Sequence, residues 1–245
     1  MITAQKSNLA DWILYRFFRR SLRNHFFTIR CRGIENLRNL DPDSPTLAFS
    51  NHTNWWDGLL VYYITRLAPH KSFFVMMDER QLSKNRFLRK LGAFSVDLTN
   101  SIHAAAAIRY AVNLLQTNNS LVWIFPQGEM VAPHLPVKVK QGTNYLASKA
   151  PHAQMLTVAF RFQFFKEDRP EVWMEILPHF HAKESSDERI EDSCNEALRR
   201  LDLAIAKKDL TGFERILDPK LTINKKWEWV QLAVKGRLKE FTPEN

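Results

Sequence analysis

The sequence predicts an α/β fold: a largely parallel mixed sheet flanked by helices, with amphipathic helices at the N- and C-termini. Short apolar runs typical of buried strands alternate with segments of helical periodicity along the chain. Such alternation favours parallel pairing, because each helix crosses a face of the sheet between two strands. The length of 245 residues and the hydrophobic content of 45% suffice for one sizeable core. We expect a helix within residues 1–26 and a single domain over residues 27–245.

The charge balance narrows the classes of partner. The chain has 35 basic and 26 acidic residues, which gives a net charge of +9 and a pI near 9.6. This excess favours an anionic partner: nucleic acid, anionic lipid or an acidic carrier protein. The two cysteines, Cys31 and Cys194, have no paired spacing, so we predict neither a disulfide framework nor a zinc site. A reducing compartment is expected.

The first predicted helix, within residues 1–26, combines arginines with large apolar side chains. At about 100° per residue its four arginines share one face, and leucines and phenylalanines cover much of the rest. The arginines are Arg16, Arg19, Arg20 and Arg23. They interrupt every apolar run before the roughly 20 residues that a spanning helix needs, and no signal-peptide pattern is present. Two interpretations stay open: the helix lies in the headgroup region of a membrane, or it packs on the protein.

The middle of the chain supplies the sheet and its covering helices. Six runs have the composition of strands: Phe27–Cys31, Thr46–Ser50, Ser72–Met77, Ala93–Asp97, Leu121–Phe125 and Met155–Phe160. Four segments between them have helical periodicity: Asp57–Leu67, Glu79–Leu91, Ser101–Gln116 and Gly142–Lys149. A last strand, Glu171–Leu177, follows a short polar turn and should pair antiparallel with the strand before it.

After Ser185 we expect only helices. The first of them begins with acidic and ends with basic residues, which suits the helix dipole. The second, Asn224–Phe241, combines Trp227 and Trp229 with several lysines and an arginine. Both ends of the chain therefore have the composition of surfaces that bind anionic membranes.

Polar side chains interrupt the apolar pattern just after two predicted strands. His52 follows Thr46–Ser50, and the sequence Phe-Pro-Gln-Gly at residues 125–128 follows the strand Leu121–Phe125. Turns beyond the carboxyl ends of parallel strands face one crevice. Asp57, at the start of the next helix, can meet His52 only if the chain turns between them. A carboxylate on one imidazole nitrogen leaves the other free to accept a proton, which is general-base chemistry.

Three motifs resemble those of the glycerolipid acyltransferases, whose best-known members acylate glycerol 3-phosphate and lysophosphatidate. The sequence NHTNWWD at residues 51–57 is similar to their first motif, Asn-His, four residues and Asp. GAFSVDL at residues 92–98 lies where their second motif lies, and FPQGEM at residues 125–130 is similar to the third, Phe-Pro-Glu-Gly-Thr-Arg. VKQGTNYLASKA at residues 139–150 resembles the stretch that follows it. The order and intervals agree over roughly residues 27–180.

The resemblance implies transfer of a fatty acyl group from a coenzyme A or acyl-carrier-protein thioester to a lipid hydroxyl, without an acyl-enzyme intermediate. His52 would be the base and Asp57 its orienting partner, and Gly128 would let the backbone approach the substrate. No metal or cofactor is required. The residues expected around the substrate are Asn51, Trp55, Trp56, Phe125, Pro126, Gln127, Gly128 and Glu129. The two tryptophans are equally compatible with walls of an acyl-chain site and with core packing.

Basic residues outside these motifs are candidates for contacts with the donor or another anion. They are Arg80, Lys84, Arg86, Arg89, Lys138 and Lys140. The first four belong to the run ERQLSKNRFLRK, which is also typical of a solvated helix face. The expected partners are an anionic membrane surface, a lipid acceptor and, as a donor, acyl carrier protein. We expect a cytoplasmic protein that lies peripherally on the cytosolic face of a membrane.

Three departures from the family motifs bear on the acceptor. In phosphate-accepting members an arginine ends the second motif and another lies in the third, whereas this chain has Leu98 and Met130 there. Gln127 replaces the glutamate of the third motif. Each lost charge-assisted bond costs roughly 1.5 to 3 kcal/mol, so the sequence favours a lysophospholipid with a headgroup, a glycolipid or another hydroxylated lipid.

Other functions stay open or are disfavoured. A lysophosphatidate acyltransferase is the alternative within the family, with Arg109, Lys138 or Lys140 replacing the lost charge. A catalytically inactive peripheral lipid-binding protein is the second alternative. A hydrolase is disfavoured because no Gly-x-Ser-x-Gly elbow is present. A nucleic-acid binder has only the net charge in its favour.

Overall fold

A computed structural model of the chain describes residues 1–140, 142–218, 223–237 and 240. Within these residues the fold is one mixed sheet covered by helices on both faces. The strands are β1 (Ile29–Arg32), β2 (Thr46–Ser50), β3 (Ser72–Asp78), β4 (Ala93–Val96), β5 (Ser120–Ile124), β6 (Gln154–Gln163), β7 (Glu171–Ile176), β8 (Phe180–His181) and β9 (Phe213–Leu217). The predicted α/β fold is confirmed.

The helices follow the order expected for alternating strands and helices. They are α1 (Asn8–His25), α2 (Glu35–Arg38), α3 (Trp56–Thr65), α4 (Glu79–Lys84), α5 (Ser101–Leu114), α6 (Thr143–Ser148), α7 (Asp187–Lys207) and α8 (Ile223–Val234). The predicted helix Glu79–Leu91 breaks at Asn85, after which a 3-10 helix covers Arg86–Leu91. Gly92, with φ +109°, ends it. A Cβ there would lie 2.3 Å from the Phe73 carbonyl oxygen, so only glycine fits.

The strand order is β4-β3-β5-β2-β6-β7-β1-β9, and β8 pairs with β6 outside this path. The five strands at the start of this order, from β4 to β6, are mutually parallel. Strand β7 is antiparallel to β6, as predicted, and β1 joins β7 in parallel. Because β2, β4 and β5 end at the same edge, the turns that follow them come together there. We call this the carboxyl edge.

The prediction of helices alone after Ser185 is wrong over Phe213–Leu217. This segment is strand β9, which pairs antiparallel with β1 and closes that side of the sheet. Its sequence, FERIL, places two charged residues together and lacks clean alternation, so pairing with β1 rather than its own pattern decides its conformation. The predicted helix Asn224–Phe241 corresponds to α8, and Phe241 lies outside the described residues.

Helix α1 packs one face on the body and exposes the other. Phe18 and Leu22 are buried in the core, and Tyr15 stacks on Tyr63 of α3 with ring centroids 6.1 Å apart. On the opposite face four large apolar side chains are exposed: Leu9, Trp12, Ile13 and Phe17. Docking onto the protein therefore leaves a second apolar surface on the same helix. Among the described helices, none combines the length and the apolar character needed to cross a membrane.

Candidate active site

The carboxyl edge brings together the turns that carry the three sequence motifs. His52 lies two residues beyond the end of β2, and Phe125 directly follows β5. Leu98, from the second motif, lies two residues beyond β4. A Cβ built on Gly128 would lie 3.1 Å from Cδ1 of Leu98, so the second and third motifs are in contact. The grouping expected from the strand order is present.

The predicted pair of His52 and Asp57 is formed. Nδ1 of His52 lies 2.9 Å from Oδ2 of Asp57, which lies in the first turn of α3. The same carboxylate oxygen accepts the backbone N–H groups of Thr53, at 2.6 Å, and Asn54, at 2.9 Å. Asn54 Oδ1 in turn accepts the N–H of Trp56 at 2.8 Å. These bonds bend the chain between β2 and α3. The bend lets His52 and Asp57, which are five residues apart, come into contact.

Burial differs sharply between the two partners of this pair. The side chain of Asp57 is 0% exposed, whereas that of His52 is 21% exposed. Both backbone hydrogens that the Asp57 carboxylate accepts go to Oδ2, the oxygen that also contacts His52. The carboxylate thus holds Nδ1 as the donor, and the other ring nitrogen, Nε2, is the one available to a substrate. The second carboxylate oxygen, Oδ1, is buried with no hydrogen-bond partner in the described part of the chain.

Residues of the third motif hold His52 in place by direct contacts. Oε1 of Gln127 accepts the backbone N–H of His52 at 2.8 Å, and Gln127 is only 5% exposed. The rings of His52 and Phe125 stack with centroids 4.1 Å apart. The backbone N–H of Val131 donates to the His52 carbonyl at 2.9 Å. The backbone and the ring of the base are therefore both fixed by the turn after β5, and Pro126 is buried within that turn.

Asn51, predicted to contact substrate, instead joins two strands. It is 2% exposed. Its Oδ1 accepts the N–H of Phe160 at 2.8 Å, and its Nδ2 donates to the Phe160 carbonyl at 3.2 Å. Both ends of the amide are thus occupied by β6. The side chain continues the pairing of β2 and β6 past the last residue of β2, which fixes the start of the turn that carries His52.

Around Gly128 the chain leaves little space. Gly128 has φ +69°, and a Cβ there would lie 2.9 Å from Cδ of Lys140. The backbone N–H of Lys140 donates to the Pro126 carbonyl at 2.9 Å, and its Nζ bonds Oε1 of Glu129 at 2.8 Å. This bond and the lysine charge hold the pKa of Glu129 below its usual range. Lys140 therefore lies across the third motif, whereas Glu129 points to solvent.

The two tryptophans of the first motif have different environments. Trp55 is 61% exposed, beside the base in sequence. Trp56 is partly buried and packs against Phe26 and His25, with ring centroids at 5.1 and 4.6 Å. Trp56 therefore has the predicted core packing, against the end of α1. Trp55 lies at the surface, where a contact with substrate stays a prediction.

The other predicted basic residues are exposed or have partners outside the motif turns. Arg80, Lys84 and Arg86 are exposed on α4 and the 3-10 helix after it. Nε of Arg89 donates to the Thr3 carbonyl at 3.0 Å, so Arg89 fixes the N-terminal segment. Lys138 forms an ion pair with Glu191 of α7 at 3.1 Å. Of the predicted basic residues, Lys140 is the one placed against the motif turns.

The turns that form this site lie in a region that matches a known protein family. The family model described as Acyltransferase matches residues 28–161, which include β1 to most of β6 and every motif described above. The chain belongs to the acyltransferase family.

One curated relative and one solved structure extend the comparison. Over 90 residues the chain is 30% identical to the 1-acyl-sn-glycerol-3-phosphate acyltransferase of Streptococcus pneumoniae. That match covers 35% of this chain and 32% of the relative, so it spans about a third of the relative's length. The crystal structure of PlsC, the 1-acyl-sn-glycerophosphate acyltransferase of Thermotoga maritima, is similar with a TM-score of 0.59 at 18% identity. It covers 78% of this chain and 79% of that one, and it shows the shared fold.

Some contacts in the site of this acyltransferase-family chain have no signal in the sequence. Three of the contacts come from backbone N–H groups, those of Thr53, Asn54 and Val131. Every residue except proline has such a group, so the sequence does not mark these positions. Asn54 did offer a signal in its side chain, because asparagine two residues before a helical N–H is typical of an Asx turn. The bond between Gln127 and the His52 backbone joins residues 75 apart, so no local pattern predicts it.

Replacement of Asn51 by alanine should destabilise the protein. The variant leaves the N–H and the carbonyl of Phe160 without their side-chain partners, and Phe160 is fully buried. We expect the free energy of unfolding in urea to fall by about 2 to 4 kcal/mol. Asn118→Ala, at an exposed position before β5, is the control and should change it by less than about 0.5 kcal/mol. Equal stability of the two variants would contradict the role given to Asn51.

Proposed function

We propose that the protein is an O-acyltransferase that moves a fatty acyl group from an acyl thioester to a hydroxyl of a lysolipid or other lipid acceptor. The observation that carries this proposal is the pair of His52 and Asp57, at 2.9 Å, on the carboxyl edge of an acyltransferase-family domain. The donor is acyl coenzyme A or acyl carrier protein, and the reaction needs no metal or further cofactor.

The proposed reaction is a direct transfer. Nε2 of His52 accepts the proton of the acceptor hydroxyl as its oxygen attacks the thioester carbonyl carbon. A carbon–oxygen bond forms, the carbon–sulfur bond breaks, and the departing thiolate takes up a proton from the imidazolium. Asp57 keeps the imidazole oriented and stabilises its charged form. Burial raises the pKa of the Cys31 and Cys194 thiols far above their usual value, which argues against either as a nucleophile.

For the acceptor, we propose a lipid without a terminal phosphate monoester. Leu98 and Met130 occupy the positions at which phosphate-accepting relatives are expected to have arginine, and both are more than half exposed beside the turns of the site. Gln127 is neutral, and its oxygen already serves the His52 backbone. An apolar surface at these positions suits a lipid whose charge is shielded in a headgroup or absent.

A second candidate is a lysophosphatidate acyltransferase with relocated phosphate contacts. The favouring observation is Lys140, whose Nζ would lie 3.6 Å from a Cβ on Gly128, next to Leu98. Its pair with Glu129 is exposed, with the two side chains 52% and 64% accessible, so an acceptor phosphate could displace the carboxylate. The relative from Streptococcus pneumoniae carries this activity in its name.

The surface suits a peripheral position on the cytosolic face of an anionic membrane. The outer face of α1 presents Trp12, Ile13 and Phe17 together with exposed arginines. The end of α1 contacts Trp56 through His25, and the exposed Trp55 packs on Trp56 with ring centroids 5.3 Å apart. The end of α1 and the turn of the first motif are thus in contact, which places the membrane-binding helix and the proposed site on one continuous part of the protein.

Replacement of His52 by alanine should remove the proposed base. We expect acyl transfer to fall about 10² to 10⁴-fold, measured with a labelled acyl thioester and a panel of lysolipids. The control His152→Ala, exposed before β6 at the opposite edge, should keep wild-type rates. Near wild-type transfer by His52→Ala would contradict the mechanism. Lipid binding without transfer to any acceptor by the wild-type protein would favour the inactive lipid-binding alternative.

Arginines at positions 98 and 130 should give the protein activity toward lysophosphatidate. Leu98→Arg with Met130→Arg restores two cations at the motif positions, so kcat/KM for lysophosphatidate should rise about tenfold or more relative to lysophosphatidylcholine. The wild-type protein should prefer acceptors with a headgroup or without phosphate. A wild-type preference for lysophosphatidate that Lys140→Ala abolishes would instead establish the second candidate.

The membrane proposal predicts a loss of binding when the outer face of α1 is trimmed. Trp12→Ala with Phe17→Ala should weaken binding to vesicles containing anionic lipid by about tenfold or more, because each large side chain contributes roughly 1.5 to 3 kcal/mol when fully buried. Co-sedimentation measures the change. Ile102→Ala, at an apolar position of α5 that is 73% exposed, is the control. Equal binding by both variants would rule out α1 as the membrane contact.

A further inference from the structure

Helix α8 exposes an apolar stripe along one face. The members of the stripe are separated by four, three and four residues, which places them on one side of an α-helix. They are Ile223, Trp227, Val230 and Val234, with exposed fractions of 69, 63, 40 and 84%. Single exposed apolar side chains are common on protein surfaces, whereas an aligned set marks a surface that contacts something apolar.

The opposite side of α8 contacts the rest of the protein. Lys225 is only 6% exposed, and its Nζ pairs with Glu228 at 3.0 Å. Leu232, two helical turns further on, is partly buried. At about 100° per residue, Lys225 and Leu232 lie roughly opposite the middle of the stripe. The helix therefore packs by one face and leaves the apolar stripe uncovered.

The topology of the sheet brings the start of α8 to the carboxyl edge. Strand β9 is antiparallel to β1, which is parallel to β7, and β7 is antiparallel to β6. Since β6 is parallel to β2, β9 runs in the same direction as β2 and ends at the same edge. Helix α8 follows β9 in the chain. It therefore begins at the edge of the sheet that carries the catalytic turns.

The turn between β6 and β7, residues 164–170, joins the beginning of α8 to the end of α1. Nδ2 of Asn224 donates to the Lys166 carbonyl at 3.1 Å. In the same turn, Nη1 of Arg169 donates to the Arg23 carbonyl at 2.8 Å. Phe164, also in this turn, is 63% exposed. The ends of the two helices and an exposed aromatic side chain thus belong to one part of the surface.

The charge and length of α8 favour an anionic bilayer as the occupant of the stripe. Lys226 and Lys235 lie on either side of it, are exposed, and have no acidic partner among the described residues. The ring of Trp227 combines an apolar body with an N–H donor, which suits the boundary between headgroups and acyl chains. Because the 12 residues of α8 make a helix about 18 Å long, it can lie along a bilayer and is too short to span one.

We propose that α8 is a second membrane contact, which inserts its apolar stripe among the headgroups of an anionic bilayer and turns the carboxyl edge toward that bilayer. One helix on a membrane leaves the protein free to rotate about the helix axis, whereas a second contact elsewhere on the surface fixes that rotation. The contact itself does not depend on any reaction. Its consequence, access of His52 to an acceptor held in the bilayer, rests on the function proposed above.

Replacement of Trp227 by alanine in the full chain tests the contact. Co-sedimentation with equimolar phosphatidylglycerol and phosphatidylcholine vesicles should show binding weakened about tenfold, because a large side chain leaves the interface. Trp229→Ala is the matched control. It removes the same side chain from the same helix, about 160° around the axis from Trp227, and should change binding by less than about twofold. Equal losses in the two variants would overturn the assignment of the stripe.

A fluorescent label reads the contact without relying on a loss of binding. A nitrobenzoxadiazole group on Val234→Cys should brighten and shift to the blue when the anionic vesicles are added. The same group on Leu210→Cys, exposed before β9 at the opposite edge, should not respond. Cys31 and Cys194 are buried, so the introduced cysteine is labelled selectively. An unchanged spectrum at position 234 would overturn the proposal.

The remaining outcomes separate this contact from its rivals and from the proposed function. A dimer that Trp227→Ala dissociates, with vesicle binding unchanged, would make the stripe a contact between two copies and overturn the proposal. Trp227→Ala should lower kcat/KM about tenfold for a lysolipid held in vesicles and leave transfer to a short-chain monomeric acceptor unchanged. An equal loss with both acceptors overturns the orientation. Vesicle binding through the stripe without any acyl transfer would support the contact and refute the function.

Discussion

One buried oxygen, Oδ2 of Asp57, holds the turn on which the site depends. It accepts two backbone N–H groups, from Thr53 and Asn54, and it contacts Nδ1 of His52. The amides fold the chain sharply between β2 and α3, and the same fold points the imidazole across the carboxyl edge. Because Asp57 is fully buried, its carboxylate depends on such partners inside the protein. The local fold and the proposed chemistry therefore share a single atom.

The loop after β5 extends this constraint across the edge of the sheet. It holds the backbone of His52 from two sides, through Gln127 and Val131, and then fastens to α7 through Val137 before Lys140 returns to Pro126. The third motif therefore bounds one side of the base, through the ring of Phe125 and the side chain of Gln127.

The sequence predicted the elements whose pattern is local. The strand Thr46–Ser50 agrees residue for residue, and the pair of His52 and Asp57 follows from a strand, a turn and a helix start. What depends on distant pairing was not predictable: β9 is defined by its bonds to β1, Asn51 by its bonds to Phe160, and the loop after the third motif by its bonds to α7. Gln127 is the clearest example. Its place in the third motif suggested contact with substrate, whereas its side-chain oxygen accepts the backbone N–H of His52.

The proposed role of Asp57 is to make His52 a base, and the Asp57→Asn variant isolates that role. Asparagine keeps an oxygen for the amides of Thr53 and Asn54, so the turn and the unfolding transition should be preserved, but it lacks the charge that supports the imidazolium. We expect kcat for acyl transfer to fall by about 10² to 10⁴-fold in a variant that still folds. A folded Asp57→Asn protein with near wild-type kcat would contradict it.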